Sequence, residues 1–147
     1  MAILSVKAEI GIAAPPEAVW RVMTDPLRES AWMRAVERAE FLGEPGYRAG
    51  ARMRRSGRFM GKRMVWESEI AACEPPRRLV FRHVSGPLRG ESRWEIDPAP
   101  GGSAVRLVTE GPLPRGLGIL RPLAAAAARL ALRADLKRLQ SLVARGA

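Results

Sequence analysis

The sequence predicts an α+β domain: a large antiparallel sheet with one long helix laid over its apolar face. Residues 3–12 alternate as a half-buried strand, a helical stretch opened by Pro15-Pro16 ends near Pro26, and the segments that follow, up to about residue 110, are mostly strand-like. One uninterrupted helix then runs from about Pro122 to Arg145. A sheet of that extent needs a cover, and the terminal helix is the only element long enough to provide it. Such an arrangement tends to leave a hollow between sheet and helix, so binding of an apolar ligand is the expected function.

Proline is excluded from central strands and helix interiors, so the twelve prolines punctuate the chain. In the first strand Val6, Ala8, Ile10 and Ile12 face one way, against Lys7 and Glu9. Pro15 and Pro16 pre-set a helix start, and Glu17 complements its dipole. Val19, Trp20, Val22 and Met23 form its buried side, Asp25-Pro26 ends it, and a second short helix is expected over about Leu27 to Trp32. Residues 36–43 and 51–59 read as strands, the first without clean parity. In 63–74 the inward set is Met64, Trp66, Ser68, Ile70 and Ala72. Leu79, Phe81 and His83 share a face of the next strand, although Val80 and Val84 blur the pattern. Ser92, Trp94 and Ile96 then oppose Arg93, Glu95 and Asp97, and Val105, Leu107 and Thr109 face in after the turn at Pro98–Gly102.

The closing helix repeats Ala125, Ala128, Leu132, Leu136, Leu139 and Val143 at spacings of three and four, opposite Arg129, Arg133, Lys137 and Gln140. At ~1.5 Å per residue it spans about 36 Å, enough to cross the sheet diagonally. Its leucine-bearing half should seal the core. The half from Ala124 to Ala128 presents only methyl groups, which either permit close approach to the sheet or leave space opposite Trp66, Phe81 and Trp94.

At 147 residues the chain has the length of one domain, 1–147, without linker or internal repeat. No stretch approaches the ~18 apolar residues of a membrane-spanning helix, and no signal peptide is read at the start. The single cysteine, Cys73, allows no internal disulfide, which fits a cytoplasmic location. The net charge is +10, and with only three lysines (Lys7, Lys62, Lys137) arginine supplies 22 of the 25 basic residues. The densest group is Arg52, Arg54, Arg55, Arg58, Lys62 and Arg63, interleaved with one aromatic, Phe59. That is a poor stacking platform, so no nucleic acid is expected. A solvated sheet exterior explains most of this charge, and weak contact with an anionic membrane or acidic protein is the remaining use for it.

Ala13-Ala-Pro-Pro-Glu-Ala-Val-Trp20, following a first strand, resembles the opening of the START-like superfamily, also called SRPBCC or Bet v 1-like. The resemblance continues through Asp25-Pro26, Trp32 before a strand at Val36, Gly50-Ala-Arg52, Glu74-Pro-Pro-Arg-Arg-Leu-Val-Phe81, and Leu136 and Leu139 of the last helix. It covers nearly the whole chain and looks like a bacterial polyketide cyclase/dehydrase-type member. By resemblance, a helix-grip fold is implied: a seven-stranded antiparallel sheet curled around the long C-terminal helix, with two short helices between strands 1 and 2. Members bind lipids, polyketides, quinones or other apolar molecules, and only some are enzymes, so the fold does not settle activity.

His83 is the only histidine and sits mid-strand, making it the one candidate general acid or base; a packed, hydrogen-bonded core histidine is the commoner role. No His/Cys/Asp/Glu cluster has ligand spacing, so neither metal nor cofactor is expected. Cys73 reads as inert. Tyr47, Trp66, Phe81 and Trp94 are candidate pocket lining, with plain core packing as the alternative for each. Arg55, on the inward parity of Met53, would place a cation in an apolar cavity and anchor a ligand carboxylate or phenolate. The alternative, slightly favoured by the sequence, is a bulge near Gly57 that sends Arg55 to solvent. Ser68 and Thr109 are candidate hydrogen-bonding groups, and Ala124 and Ala128 line the helix side. The loop Gly111–Gly118 would lie at the cavity mouth as lid or simple connection. The leading expectation is a binding protein for a small hydrophobic molecule. An alternative is a polyketide cyclase, aromatase or dehydratase in which His83 moves protons, and a third is an interaction module using the basic exterior.

Overall fold

The structure is a computed structural model and describes residues 3–59, 61–86, 89–112 and 118–146. Seven strands are present: β1 (Ile3–Ile12), β2 (Val36–Leu42), β3 (Arg52–Phe59), β4 (Lys62–Glu74), β5 (Arg78–Ser85), β6 (Gly90–Ala99) and β7 (Gly102–Pro112). Helices α1 (Pro16–Met23) and α2 (Glu29–Trp32) separate β1 from β2, and a short 3-10 turn (Gly118–Leu120) leads into α3 (Arg121–Ala144). All strands form one antiparallel sheet in the order β1-β7-β6-β5-β4-β3-β2, so the first strand joins the last along Ile3↔Pro112 to Ile12↔Ser103. This is the helix-grip architecture that the family resemblance implied. Most of the expected loop Gly111–Gly118, residues 113–117, lies outside the described residues.

The sheet has a charged face and an apolar face. On the charged face, arginines meet carboxylates on neighbouring strands: Arg52 with Glu69, Arg54 with Glu67, Arg106 with Glu9 and Glu95, and Arg93 with Glu110. Arg58 pairs with Glu37. The arginine cluster read around residues 52–58 is therefore largely a set of cross-strand ion pairs, each worth ~0–1 kcal/mol when exposed. The apolar face carries a core that joins Trp32, Met53, Phe81, Trp94 and Leu107 to Leu136 and Leu139 of α3.

Helix α3 packs chiefly on β1, α2 and α1. Its buried residues, Asp135, Leu136, Leu139 and Val143, all belong to the C-terminal half, as the leucine pattern predicts. Asp135 and Arg138 pair with each other, and Asp135 accepts from the Arg34 N–H (3.3 Å) while Arg138 Nε donates to the Trp32 carbonyl (3.2 Å). Burial pushes the Asp135 carboxyl up from its ordinary value. These contacts hold the end of α2 against α3. Ala124, Ala125 and Ala128 in the other half are only half-buried, so this part of the helix does not seal the sheet.

The structure corrects the reading of Arg55. The irregularity lies in β2, between Val36 and Arg38, and not in β3 at Gly57. Gly57 accommodates it from across the ladder: a Cβ there would sit 1.7 Å from the Ala35 carbonyl oxygen. With the extra residue absorbed by β2, β3 keeps its alternation, and Ala51, Met53 and Arg55 all point inward and are buried. Gly57→Ala should displace the backbone at Ala35, where the chain enters β2, and cost about 2–3 kcal/mol in urea unfolding, the scale of a core overpacking defect.

Candidate functional site

Arg55 projects from β3 beneath the sheet's apolar face and meets Glu29 of α2. Its Nη2 donates to Glu29 Oε1 at 2.9 Å and its Nε donates to Oε2, a two-pronged ion pair. Glu29 is fully buried and Arg55 is 4% exposed. The guanidinium also lies over the Phe81 ring, 4.5 Å from its centroid. Burial works against the charge on Arg55, but the Glu29 carboxylate more than offsets it and holds the guanidinium pKa above its ordinary value. The counter-charge that the sequence reading assigned to a ligand is thus internal.

Around this pair stand two buried polar groups that lack a hydrogen-bond partner among the described residues. Trp32, one helical turn after Glu29, is fully buried with its ring edge-on to Trp94 (centroids 5.2 Å apart), and Trp94 packs in the same way on Phe81 (4.8 Å). Tyr47 stacks edge-on against Phe41 at 4.9 Å. Among the described residues, the Trp32 Nε1 and Tyr47 Oη are buried without a hydrogen-bond partner. Leaving such a group unmade costs about 1–3 kcal/mol. Burial, and then the negative charge of Glu29, push the Tyr47 hydroxyl well above the usual phenol range, so it stays protonated and able to donate.

A second polar element crosses the same face on three adjacent strands. His83 Nδ1 lies 2.9 Å from Ser68 Oγ and His83 Nε2 lies 3.0 Å from Ser92 Oγ. The β4–β5 register sets Ser68 opposite His83, and Ser92 reaches it diagonally from β6. Burial, followed by the nearby positive charge of Arg55, lowers the His83 pKa from 6.5 to about 4. The ring is neutral at pH 7, with one nitrogen donating and the other accepting.

The structure brings together Tyr47, Arg55, Phe81 and Trp94, through their rings or the charges of the Glu29–Arg55 pair, and links Ser68 to His83. Trp66 stands apart in a smaller cluster with Val36 and Ala39. Thr109 keeps the register of Val6 and Ser92 but is exposed. Ala124 and Ala128 are half-buried on the inner side of α3. Cys73 is half-buried beside the Tyr47 carbonyl (3.5 Å), with its thiol pushed up by burial and then by Glu74. Sequence reasoning missed Glu29, Trp32 and Ser92. The available signal for the first two was a glutamate and a tryptophan three apart in one short helix, which face the same way. Two clefts on the exterior are lined by charged groups and lie away from the aromatic site: one of 330 Å³ bounded by Glu74, Arg77 and Asp97, and one of 490 Å³ bounded by Arg21, Asp25 and Arg28.

With this geometry in place, the relatives are informative. The sequence profile of the family described as "Polyketide cyclase / dehydrase and lipid transport" matches residues 4–144. The chain belongs to that family. Among solved structures, TTHA0849 from Thermus thermophilus is 29% identical, with a TM-score of 0.80 over 97% of this chain and 99% of that one. The Zhui aromatase/cyclase from Streptomyces sp. R1128 superposes with a TM-score of 0.74 at 19% identity, covering 98% and 95% of the two chains. Ara h 8.0201 gives 0.68 at 14% identity over 98% and 99%. The last two are similar in fold. No curated protein matches the sequence.

Two outcomes follow from the charges. Glu29→Gln leaves the buried Arg55 cation uncompensated and should cost about 3–5 kcal/mol in urea unfolding, whereas Glu29→Gln combined with Arg55→Met should recover most of that loss. His83 accepts its proton more readily when unfolded (near pH 6.5) than when folded (about 4), so stability falls as pH drops through that window. As His83 is the only histidine, its ring NMR signals should hold constant from pH 8 to about 5 and move only below that.

Proposed function

We propose that the protein binds a small, uncharged hydrophobic molecule bearing a carbonyl or hydroxyl oxygen, held between the sheet and α3. The observation that carries this reading is the pair of buried, unpartnered donors, Trp32 Nε1 and Tyr47 Oη, in a site otherwise built from aromatic rings. Donors in an apolar surround favour an oxygen acceptor, and aromatic walls favour a flat or aliphatic body. Because Glu29 already neutralises Arg55, a ligand carboxylate would add a second negative charge beside a buried one. An uncharged ligand avoids that penalty. Membership of a family described by polyketide cyclisation and lipid transport agrees with an apolar guest.

A catalytic role for His83 is the second reading, supported by its place in the Ser68–His83–Ser92 chain on the face that looks toward the helix. With a pKa near 4 the ring is a weak base and is almost never a proton donor at pH 7. That chemistry suits orienting a substrate oxygen better than moving its protons.

The test is a matched pair of probes, 2-naphthol and 2-naphthoate, in competition with an apolar fluorophore. The naphthol should bind at least tenfold more tightly at pH 7; a preference for the carboxylate would overturn the reading. Tyr47→Phe should weaken naphthol binding while leaving the urea midpoint equal or higher, since it deletes a hydroxyl that has no hydrogen-bond partner among the described residues.

A further inference from the structure

The N-terminal half of α3 also carries aliphatic side chains on its outer side. Leu123 is 69% exposed, Leu130 is 70% exposed and Ile119, in the turn that leads into the helix, is 90% exposed. Leu123, Ala127 and Leu130 follow one another at steps of four and three, which places them in a single stripe pointing away from the sheet. Ile3 extends the patch: it is 57% exposed, and its carbonyl accepts from Arg121 Nη2 at 2.8 Å, which ties the start of β1 to the start of α3. Exposed aliphatic residues that gather in one place on a folded domain mark a surface that meets something.

The charge beside the stripe indicates what it meets. From residue 118 to 146 there are six cations (Arg121, Arg129, Arg133, Lys137, Arg138 and Arg145) against one acid, Asp135, a balance of +5. Asp135 is buried and paired with Arg138. Arg129, Arg133 and Lys137 have no carboxylate partner among the described residues, in contrast to the sheet arginines, most of which do. A symmetric dimer through this face would press unpaired arginines on arginines with no acid to relieve them. An aliphatic stripe flanked by unpaired cations fits an anionic lipid surface, where leucines enter the acyl boundary and arginines meet phosphates.

We infer that the outer face of the N-terminal half of α3, with Ile119 and Ile3, docks the protein on an anionic bilayer. The inference stands on the exposed stripe and its charge, and does not depend on what the site binds.

The experiment is co-sedimentation with sucrose-loaded vesicles, either pure phosphatidylcholine or an equal mixture of phosphatidylcholine and phosphatidylglycerol, at 50 and 300 mM NaCl. The wild-type protein should partition at least tenfold more strongly to the mixed vesicles and lose most of that binding at high salt. Leu123→Gln with Leu130→Gln should reduce binding at least tenfold while leaving the thermal midpoint unchanged, because both side chains are exposed. Arg129→Gln with Arg133→Gln should reduce binding and flatten its salt dependence. Absence of binding to the mixed vesicles at 50 mM NaCl, or binding unchanged in the leucine variant, would overturn the inference. So would equal or tighter binding to poly-glutamate, which would mark an acidic protein as the partner, or a concentration-dependent dimer that the leucine substitutions abolish.

Discussion

The ion pair between Glu29 and Arg55 sets the terms for the rest of the molecule. Two charges removed from water impose a desolvation cost that only close, two-pronged geometry can offset. That geometry requires α2 to be held at one position over the sheet, and the links from Asp135 and Arg138 to Arg34 and Trp32 supply the hold. The pair also acts on Tyr47 and His83. Burial is the larger influence in both cases: to it Glu29 adds a further rise in the Tyr47 hydroxyl pKa, which Arg55 opposes, and Arg55 adds a further lowering of the His83 pKa. The site under the helix is consequently polar in places, aromatic in bulk and close to zero in net charge.

That combination separates recognition from electrostatic attraction. Strong fields lie outside, where arginine and glutamate alternate across the strands, while inside the polar atoms are directional hydrogen-bonding groups. On the proposed reading, such a site would select by shape and by the placement of single hydrogen bonds.

Most of the fold was legible in the sequence because each strand carries its own evidence of facing. Trp94 and Ile96 alternate with Arg93, Glu95 and Asp97, and prolines mark many of the connections. The site was legible only in part. Tyr47, Phe81 and Trp94 stand out as aromatic residues, and the parity of Met53 pointed Arg55 inward. The position of the bulge was not legible, since a glycine permits an irregularity on its own strand or on the one beside it, and here β2 took it. Glu29 was hidden for a different reason: a glutamate in a four-residue helix reads as a surface residue until the cation it meets, 26 positions later, is known to point inward. Trp66 shows the converse. Its parity is inward, but it packs with Val36 and Ala39 in a small cluster of its own, to which Met33 and Met64 add.

The pairing of β1 with β7 has a consequence for how the chain acquires its structure. One edge of the sheet is β1, which precedes the other six strands, and its partner among the described strands, β7, ends at residue 112. During synthesis, therefore, β1 waits without its sheet partner while β2 to β6 are produced, and α3, which covers it, follows β7. Contacts so distant along the polypeptide make for slow, all-or-none assembly and a period in which an unmated edge is vulnerable to mispairing. The lysine and glutamate that alternate along that edge, Lys7 and Glu9, are the kind of residues that discourage strands of other molecules from adding to it.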